Sequence, residues 1–211
     1  PATELRIIGG TLRGRKVHFS GLAHIRPMKD RVREAVFNLV GPAAKGKLAI
    51  DLFAGTGALG LEAISRGAAA AIFVEQHFPS ADLVRKNAQE LGVAENCQVA
   101  AADVFHWVRR HLPTSGLPWL VFCSPPYALY RDRLAEMLQL IGTVLERAPS
   151  DSLIVVEADE SDGSFLLANL GADGGVWQLH RDGRLVPFVT NIEGSPLPPA
   201  NFVTVDTLGR T

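Results

Sequence analysis

The chain has 211 residues, of which 47% are hydrophobic and 20% charged, and a net charge of −1. These values suit one α/β domain with a substantial core and a small appendage. No run of about 18 apolar residues suggests a membrane span, and no basic start leads into an apolar segment of signal-peptide type, so a cytoplasmic protein is expected.

Taken in chain order, "LRIIGG" and "GRKVHF" are strand-like runs around a Gly-rich turn and predict a hairpin. "DRVREAVFNLV", residues 30–40, predicts a helix with Asp30 as N-cap. Its apolar face is expected to carry Val32, Ala35, Val36 and Leu39, with Arg31, Arg33 and Asn38 turned elsewhere. After the linker "GPAAKGK", strands and helices alternate. Strands are expected at "KLAIDLF", "AAIFVE", "CQVAA", "PWLVFCS" and "SLIVVEA". Helices are expected at residues 57–66, at "PSADLVRKNAQELG", at "DVFHWVRRHL" and as one piece over 129–146. In the last helix Leu134, Met137, Leu138, Ile141 and Leu145 align. The tail, with "WQLHR" and "NFVTVDTL", reads as strands around a Pro-rich segment, so the parallel sheet becomes mixed. Two domains are expected: a basic extension over 1–40 and a catalytic domain over 41–211.

Charge is unevenly spread. Residues 1–40 carry eight basic side chains (Arg6, Arg13, Arg15, Lys16, Arg26, Lys29, Arg31 and Arg33) against three acidic ones. That segment is therefore +5 and the remainder −6. A basic head on an acidic body points to a polyanion partner, with a solvated charged face as the plainer reading.

The strongest local motif is "DLFAGTGALG", residues 51–60, where Gly55, Gly57 and Gly60 form G-x-G-x-x-G between a strand and a helix. Glycines there permit a tight turn and close approach of a ligand. Glu75 ends the next strand, twenty residues after Gly55, at the place where a carboxylate accepts from ribose hydroxyls. The pattern fits a nicotinamide or flavin nucleotide, and it fits S-adenosylmethionine. Asp51 favours the latter, because a carboxylate beside the turn repels a pyrophosphate and suits a sulfonium or ammonium group. Asp103, after the third strand of this run, suits an adenine amine beside Glu75 and Asp51, while taken alone a helix N-cap is its plainer role.

"FCSPPY", residues 122–127, ends an apolar strand in two prolines and an aromatic ring. Proline fixes φ and lacks an N–H, so Pro125 and Pro126 form a rigid turn beyond the strand. Such a turn at the ligand end of a doubly wound sheet can aim carbonyls and a ring at a second substrate. "S-P-P-Y" resembles the [DNS]-P-P-[YFW] motif of amino-group methyltransferases.

Together, "RIIGGTLRGRKV", "IRPMKDRVREAVFNLV", "DLFAGTGALGLEAISRGA", "VEQ" and "CSPPY" resemble, in order and spacing, the RsmD family, whose members methylate N2 of a guanine in bacterial small-subunit ribosomal RNA. The resemblance covers residues 5 to about 157. It implies a Rossmann-like, seven-stranded S-adenosylmethionine-dependent methyltransferase sheet with a small N-terminal β-hairpin extension. It also implies that Asp51, Phe53, Gly55 and Gly57 hold the methionine part, Glu75 and Gln76 the ribose side, and Asp103 with Val104 the adenine. Ser124, Pro125, Pro126 and Tyr127 would form the guanine site, and the eight basic residues of the head would contact RNA. A monomer acting on ribosomal RNA or an assembling small subunit is expected. The family usually has Asp where this chain has Ser124, a shorter and neutral acceptor. It has Thr where this chain has Met28.

Other classes remain open at this stage. Transfer to another amine, on a different base or a protein glutamine, is one. An RNA-binding relative with weak catalysis is another. A nicotinamide-dependent oxidoreductase is disfavoured by Asp51 and the Pro-Pro-Tyr turn. No metal is expected, because the six histidines make no ligand spacing and Cys97 and Cys123 read as reduced core thiols.

Overall fold

The computed structural model describes residues 4–19, 28, 30–114 and 116–157 in full, together with the backbone of five later strands. Its contacts divide the chain into two compact units, Pro1–Val104 and Phe105–Thr211.

In the first unit, β1 (Glu4–Arg6) and β2 (Lys16–His18) form the expected hairpin, antiparallel, with Leu5 opposite Val17. Helix α1 (Asp30–Val40) has the predicted bounds. Its buried residues, however, are Arg33, Val36, Phe37 and Val40, while Val32, Ala35 and Leu39 are half-buried. The helix is rotated from the expected face because a charged side chain, Arg33, is taken into the interior. Then come β3 (Leu48–Leu52), α2 (Ala58–Ser65), β4 (Ala70–Glu75), α3 (Phe78–Glu90) and β5 (Cys97–Ala101). The strands run parallel in the order β3-β4-β5. Every residue of β3 is buried, as a strand covered on both faces requires. The register sets Leu52 against Val74 and Glu75 against Ala101, so the residues following β3, β4 and β5 gather at one edge of the sheet.

The second unit starts within α4 (Val104–His111), whose apolar residues Phe105, Trp107 and Val108 are buried while His106, Arg109, Arg110 and His111 are exposed. Strand β6 (Trp119–Cys123) pairs in parallel with β7 (Leu153–Glu157), with Cys123 opposite Val156. Between them the chain forms α5 (Ala128–Asp132) and α6 (Leu134–Arg147), not the single helix expected. The break falls at Arg133, which leaves helical geometry at φ −139° and ψ 37°. Its guanidinium stacks 4.1 Å over the Phe105 ring and forks onto Glu136 at 2.7 and 2.6 Å. That pairing fixes the new helix start. It also shifts the buried stripe of α6 to Met137, Leu140, Ile141, Val144 and Leu145, leaving Leu134 and Leu138 exposed.

Strands β8 (Phe165–Asn169), β9 (Gly175–Leu179) and β10 (Leu185–Val189) follow β7 as an antiparallel meander, so the sheet is mixed as expected. The short pair β11 (Asn191–Ile192) and β12 (Ser195–Pro196) ends the described chain, and "NFVTVDTL" lies outside the described residues. No helix among the described residues is long and apolar enough to cross a membrane.

Candidate active site

The turn between β3 and α2 is held entirely by left-handed or tightly bonded residues. Phe53, Gly55 and Gly57 have φ of 61°, 52° and 73°. Gly57 is the left-handed residue that opens α2, and a Cβ there would stand 2.9 Å from the Val84 side chain. Gly60 serves packing instead: a Cβ would stand 2.3 Å from the ring of buried Phe73 on β4. The motif thus combines a conformational glycine with one that allows the helix to lie against the strand.

Two carboxylates brace this turn from below and beside. Asp51 is 2% exposed and accepts the Gly60 amide at 3.0 Å. Burial pushes its carboxyl up to about 8; the Gly60 bond opposes the rise and the charge of Glu75 adds to it. Glu75 accepts the Gly55 amide on one oxygen at 2.8 Å and the His77 amide on the other at 2.7 Å. Each oxygen retains acceptor capacity, since a carboxylate offers about four lone-pair sites. Glu75 is half-buried, Gln76 and Asp103 are exposed, and Val104 is buried at the start of α4.

The amides of the turn are largely consumed within the protein. Ala54 donates to the Val74 carbonyl, Gly55 to Glu75, Gly57 to the Ala54 carbonyl, Ala58 to the Thr56 hydroxyl and Gly60 to Asp51. A diphosphate needs such amides free at the helix N-terminus. Here it would meet engaged donors and two carboxylates.

In the second unit, Ser124–Tyr127 leaves the end of β6 as a rigid turn. Pro125 is buried, Ser124 and Tyr127 are half-buried, and Pro126 is exposed. The Leu129 amide closes the turn on the Pro126 carbonyl at 2.9 Å. Two tyrosines fasten it to the end of β7. The Tyr127 hydroxyl donates to Oε1 of Glu157 at 2.5 Å, and the Tyr130 hydroxyl donates to the Glu157 carbonyl at 2.7 Å. Burial, with the neighbouring Cys123, Glu157 and Tyr127, raises the Tyr130 phenol above its ordinary value, so it remains a donor. Glu157 is the residue that sequence reasoning missed. The available signal was a buried strand ending in an acid, the same pattern that singled out Glu75.

Of the basic head, Arg6, Arg13, Arg15, Lys16 and Arg31 are exposed. Arg15 also donates to the Glu90 carbonyl at 2.7 Å, and Lys16 pairs with Glu4 at 2.8 Å. Arg26 and Lys29 lie outside the described residues. Arg33 corrects the sequence reading. It is fully buried, donates to the Arg6 carbonyl at 2.5 Å and to Asp30 at 3.0 Å, and lies 3.9 Å from Glu62. Its guanidinium is enclosed by protein and is not presented to a phosphate.

Comparison with known proteins places these features in a wider group. The family model described as "Conserved hypothetical protein 95" matches residues 5–171. Ribosomal RNA small subunit methyltransferase D of Escherichia coli (strain K12) is 36% identical over 183 residues, 85% of this chain and 84% of that protein. The solved structure described as "Putative methyltransferase yhhF from Escherichia coli" superposes with a TM-score of 0.62 at 34% identity, covering 74% of this chain and 81% of that one. The structure described as "Crystal structure of SMU.776, a putative methyltransferase complexed with SAH" is 25% identical with a TM-score of 0.50, covering 62% of this chain and 35% of its own. The parallel strands, flanking helices and N-terminal hairpin therefore make up a Rossmann-like methyltransferase fold.

Proposed function

Because the chain belongs to the ribosomal RNA small subunit methyltransferase D family, the conserved hypothetical protein 95 group, we propose that it methylates the exocyclic N2 of a guanine in small-subunit ribosomal RNA, using S-adenosylmethionine. One observation carries the choice of cofactor. The glycine turn spends its amides internally and is flanked by the acceptors Asp51 and Glu75, an arrangement suited to a cationic adenosyl ligand and hostile to a diphosphate.

When bound, S-adenosylmethionine supplies an activated methyl group on a positively charged sulfur. Asp51 and the turn at Phe53, Gly55 and Gly57 hold the methionine end, and Asp51 counters its positive charge. Glu75, already oriented by the Gly55 and His77 amides, accepts from the ribose hydroxyls. Gln76 adjoins the ribose side, and Asp103 and Val104 flank the adenine.

Ser124 and the Pro125 carbonyl accept from the guanine amino group and turn its lone pair toward the methyl donor, while the Tyr127 ring stacks on the base. Glu157 keeps that ring in place through the hydroxyl. A base inside a duplex cannot present its amine in this way, so the target is unpaired or flipped out. Catalysis by direct transfer depends mainly on positioning. The exposed Arg6, Arg13, Arg15, Lys16 and Arg31 contact phosphates, with Arg26 and Lys29 proposed to join them. The extension over 1–40 is thus read as the RNA-contacting part and 41–211 as the catalytic part, acting as a cytoplasmic monomer on ribosomal RNA or an assembling small subunit.

Ser124 favours a second reading, transfer to another amino group, because it removes the family's carboxylate acceptor. Labelled methyl transfer to unmodified small subunits, followed by nucleoside mapping, tests both. Label in N2-methylguanosine supports the first reading. Label in another nucleoside or in protein overturns it.

A further inference from the structure

The cofactor turn and the basic head are joined by one short helix. α2 opens at left-handed Gly57, and Gly60 on its first turn binds Asp51. Two residues later Glu62, fully buried, collects the head. Its oxygens accept the amides of Ile8 and Gly9, each at 2.8 Å. Arg66 donates to it through Nε at 2.8 Å while lying 5.0 Å over the Phe37 ring of α1. Arg33, also buried, stands beside it and reaches on to the Arg6 carbonyl. Ser65 completes the contact. Its hydroxyl accepts the Leu12 amide at 2.9 Å and donates to the Gly9 carbonyl, and its carbonyl accepts the Thr11 amide at 2.8 Å. Gly10 makes this approach possible: its φ is +77°, and a Cβ would stand 1.9 Å from the Ser65 carbonyl oxygen. On α3, Asn87, 1% exposed, pairs in both directions with the backbone of His18 at 3.0 and 2.7 Å.

An extension that merely displays charge needs none of these bonds. A buried carboxylate is costly unless its charge and lone pairs are met, and Glu62 is met by the head together with Arg33 and Arg66. We infer that Glu62, with Asn87 as a second anchor, is a positioning residue for the RNA substrate. It holds the segment 8–12 rigidly on α2, so that Arg13, Arg15 and Lys16, which follow at once, form a preorganised phosphate-binding surface. A surface ordered in advance does not lose that freedom when RNA binds. The inference rests on the proposed RNA substrate.

Glu62→Gln and Asn87→Ala in the full chain test it. Exchange of the Ile8, Gly9 and Leu12 amides should quicken in Glu62→Gln, and that of the His18 amide in Asn87→Ala. The KM for unmodified small-subunit RNA should rise about tenfold in each, with kcat within about twofold. Affinity for S-adenosylhomocysteine should stay unchanged. A purely structural role would lower the unfolding midpoint without moving the RNA KM. If Glu62→Gln does not fold, Asn87→Ala carries the test alone. Faster exchange with an unchanged KM overturns the inference, and so does an equal loss of adenosyl affinity. Should the wild-type chain transfer no methyl group to RNA, the proposed function fails separately. Direct RNA binding then decides the positioning role: weaker binding by both variants supports it, and binding equal to wild type overturns it.

Discussion

The Tyr127 hydroxyl donates to Oε1 of Glu157 across 30 residues of sequence, and this bond ties the Ser124–Tyr127 turn to the end of β7. The ring alone would stack on a base whether or not the hydroxyl were present. The bond means that the hydroxyl sets where the ring stands. Tyr127→Phe is therefore expected to lower transfer about tenfold, the cost of losing a hydrogen bond to a charged acceptor of roughly 1.5 kcal/mol. Glu157→Gln should act similarly, and the double variant should lose less than the two combined. Steady-state transfer with calorimetric adenosyl binding checks this. A Tyr127→Phe enzyme with wild-type kinetics would show that the anchor is idle.

Asp51 should make cofactor binding and stability depend on pH in opposite directions. Its folded value, about 8, lies above the ordinary 3.8, chiefly through burial. The folded chain therefore holds a proton that the unfolded chain has released between those values. This contribution to stability is fully present below about pH 4 and is lost as pH rises through 8. A cationic ligand favours the ionised carboxylate, so adenosyl binding should release a proton below pH 8 and tighten as pH rises toward it. Calorimetry in buffers of different ionisation enthalpy measures that proton. Asp51→Asn should abolish the release and flatten the stability trend, and persistence of either would assign the proton to another group.

Gly60→Ala is expected to destabilise the fold by about 1–3 kcal/mol, because buried Phe73 cannot retreat from a new methyl group. Gly57→Ala adds a left-handed conformation to a tight contact with Val84, at roughly 1–2 kcal/mol for the backbone alone. Both should weaken adenosyl binding, since both displace the turn. Urea denaturation with ligand titration checks them, and unaltered midpoints would mean that the helix shifts without cost.

The basic residues of the head should divide into two classes. Neutralising exposed Arg13, Arg15 and Lys16 should reduce the salt dependence of RNA binding, by about 0.7 in logarithmic slope for each lost contact to single-stranded RNA, with stability nearly intact. Arg33→Ala should instead destabilise the chain by about 1–3 kcal/mol, because it leaves the Arg6 carbonyl without its buried donor and Glu62 with Arg66 as its remaining countercharge. Binding isotherms at several salt concentrations, paired with denaturation curves, separate the classes. A lowered salt slope in a stable Arg33→Ala chain would return Arg33 to the RNA surface.

Ser124→Asp restores the acceptor that the family usually carries, and guanine methylation is expected to rise, since an ionised acceptor makes the stronger hydrogen bond. Ser124→Ala should lower it. If the aspartate abolishes transfer and the alanine leaves it unchanged, Ser124 does not hold the amino group and the target is not guanine N2.

Local chemistry was enough to read much of this chain. The bounds of α1, β4 and β5, the glycine turn, the strand end at Glu75 and the proline turn after β6 follow from periodicity, φ restrictions and short spacings. These depend on neighbours within a few residues, which the sequence states directly. Tertiary structure decided the rest. Arg33 read as a surface cation because the groups that draw it inward beyond neighbouring Asp30, the Arg6 carbonyl and Glu62, lie 27 and 29 positions away. With Asp30, Glu62 and the Arg6 carbonyl around it, the buried guanidinium has its charge met, and α1 rotates to suit. The break before α6 follows likewise from Phe105, distant in sequence, receiving the Arg133 guanidinium. Glu157 looked like the end of an ordinary buried strand until the parallel pairing of β6 and β7 set it beside Tyr127. A charge or an aromatic ring acquires its role from the partner that the topology delivers, and a linear sequence does not state that pairing.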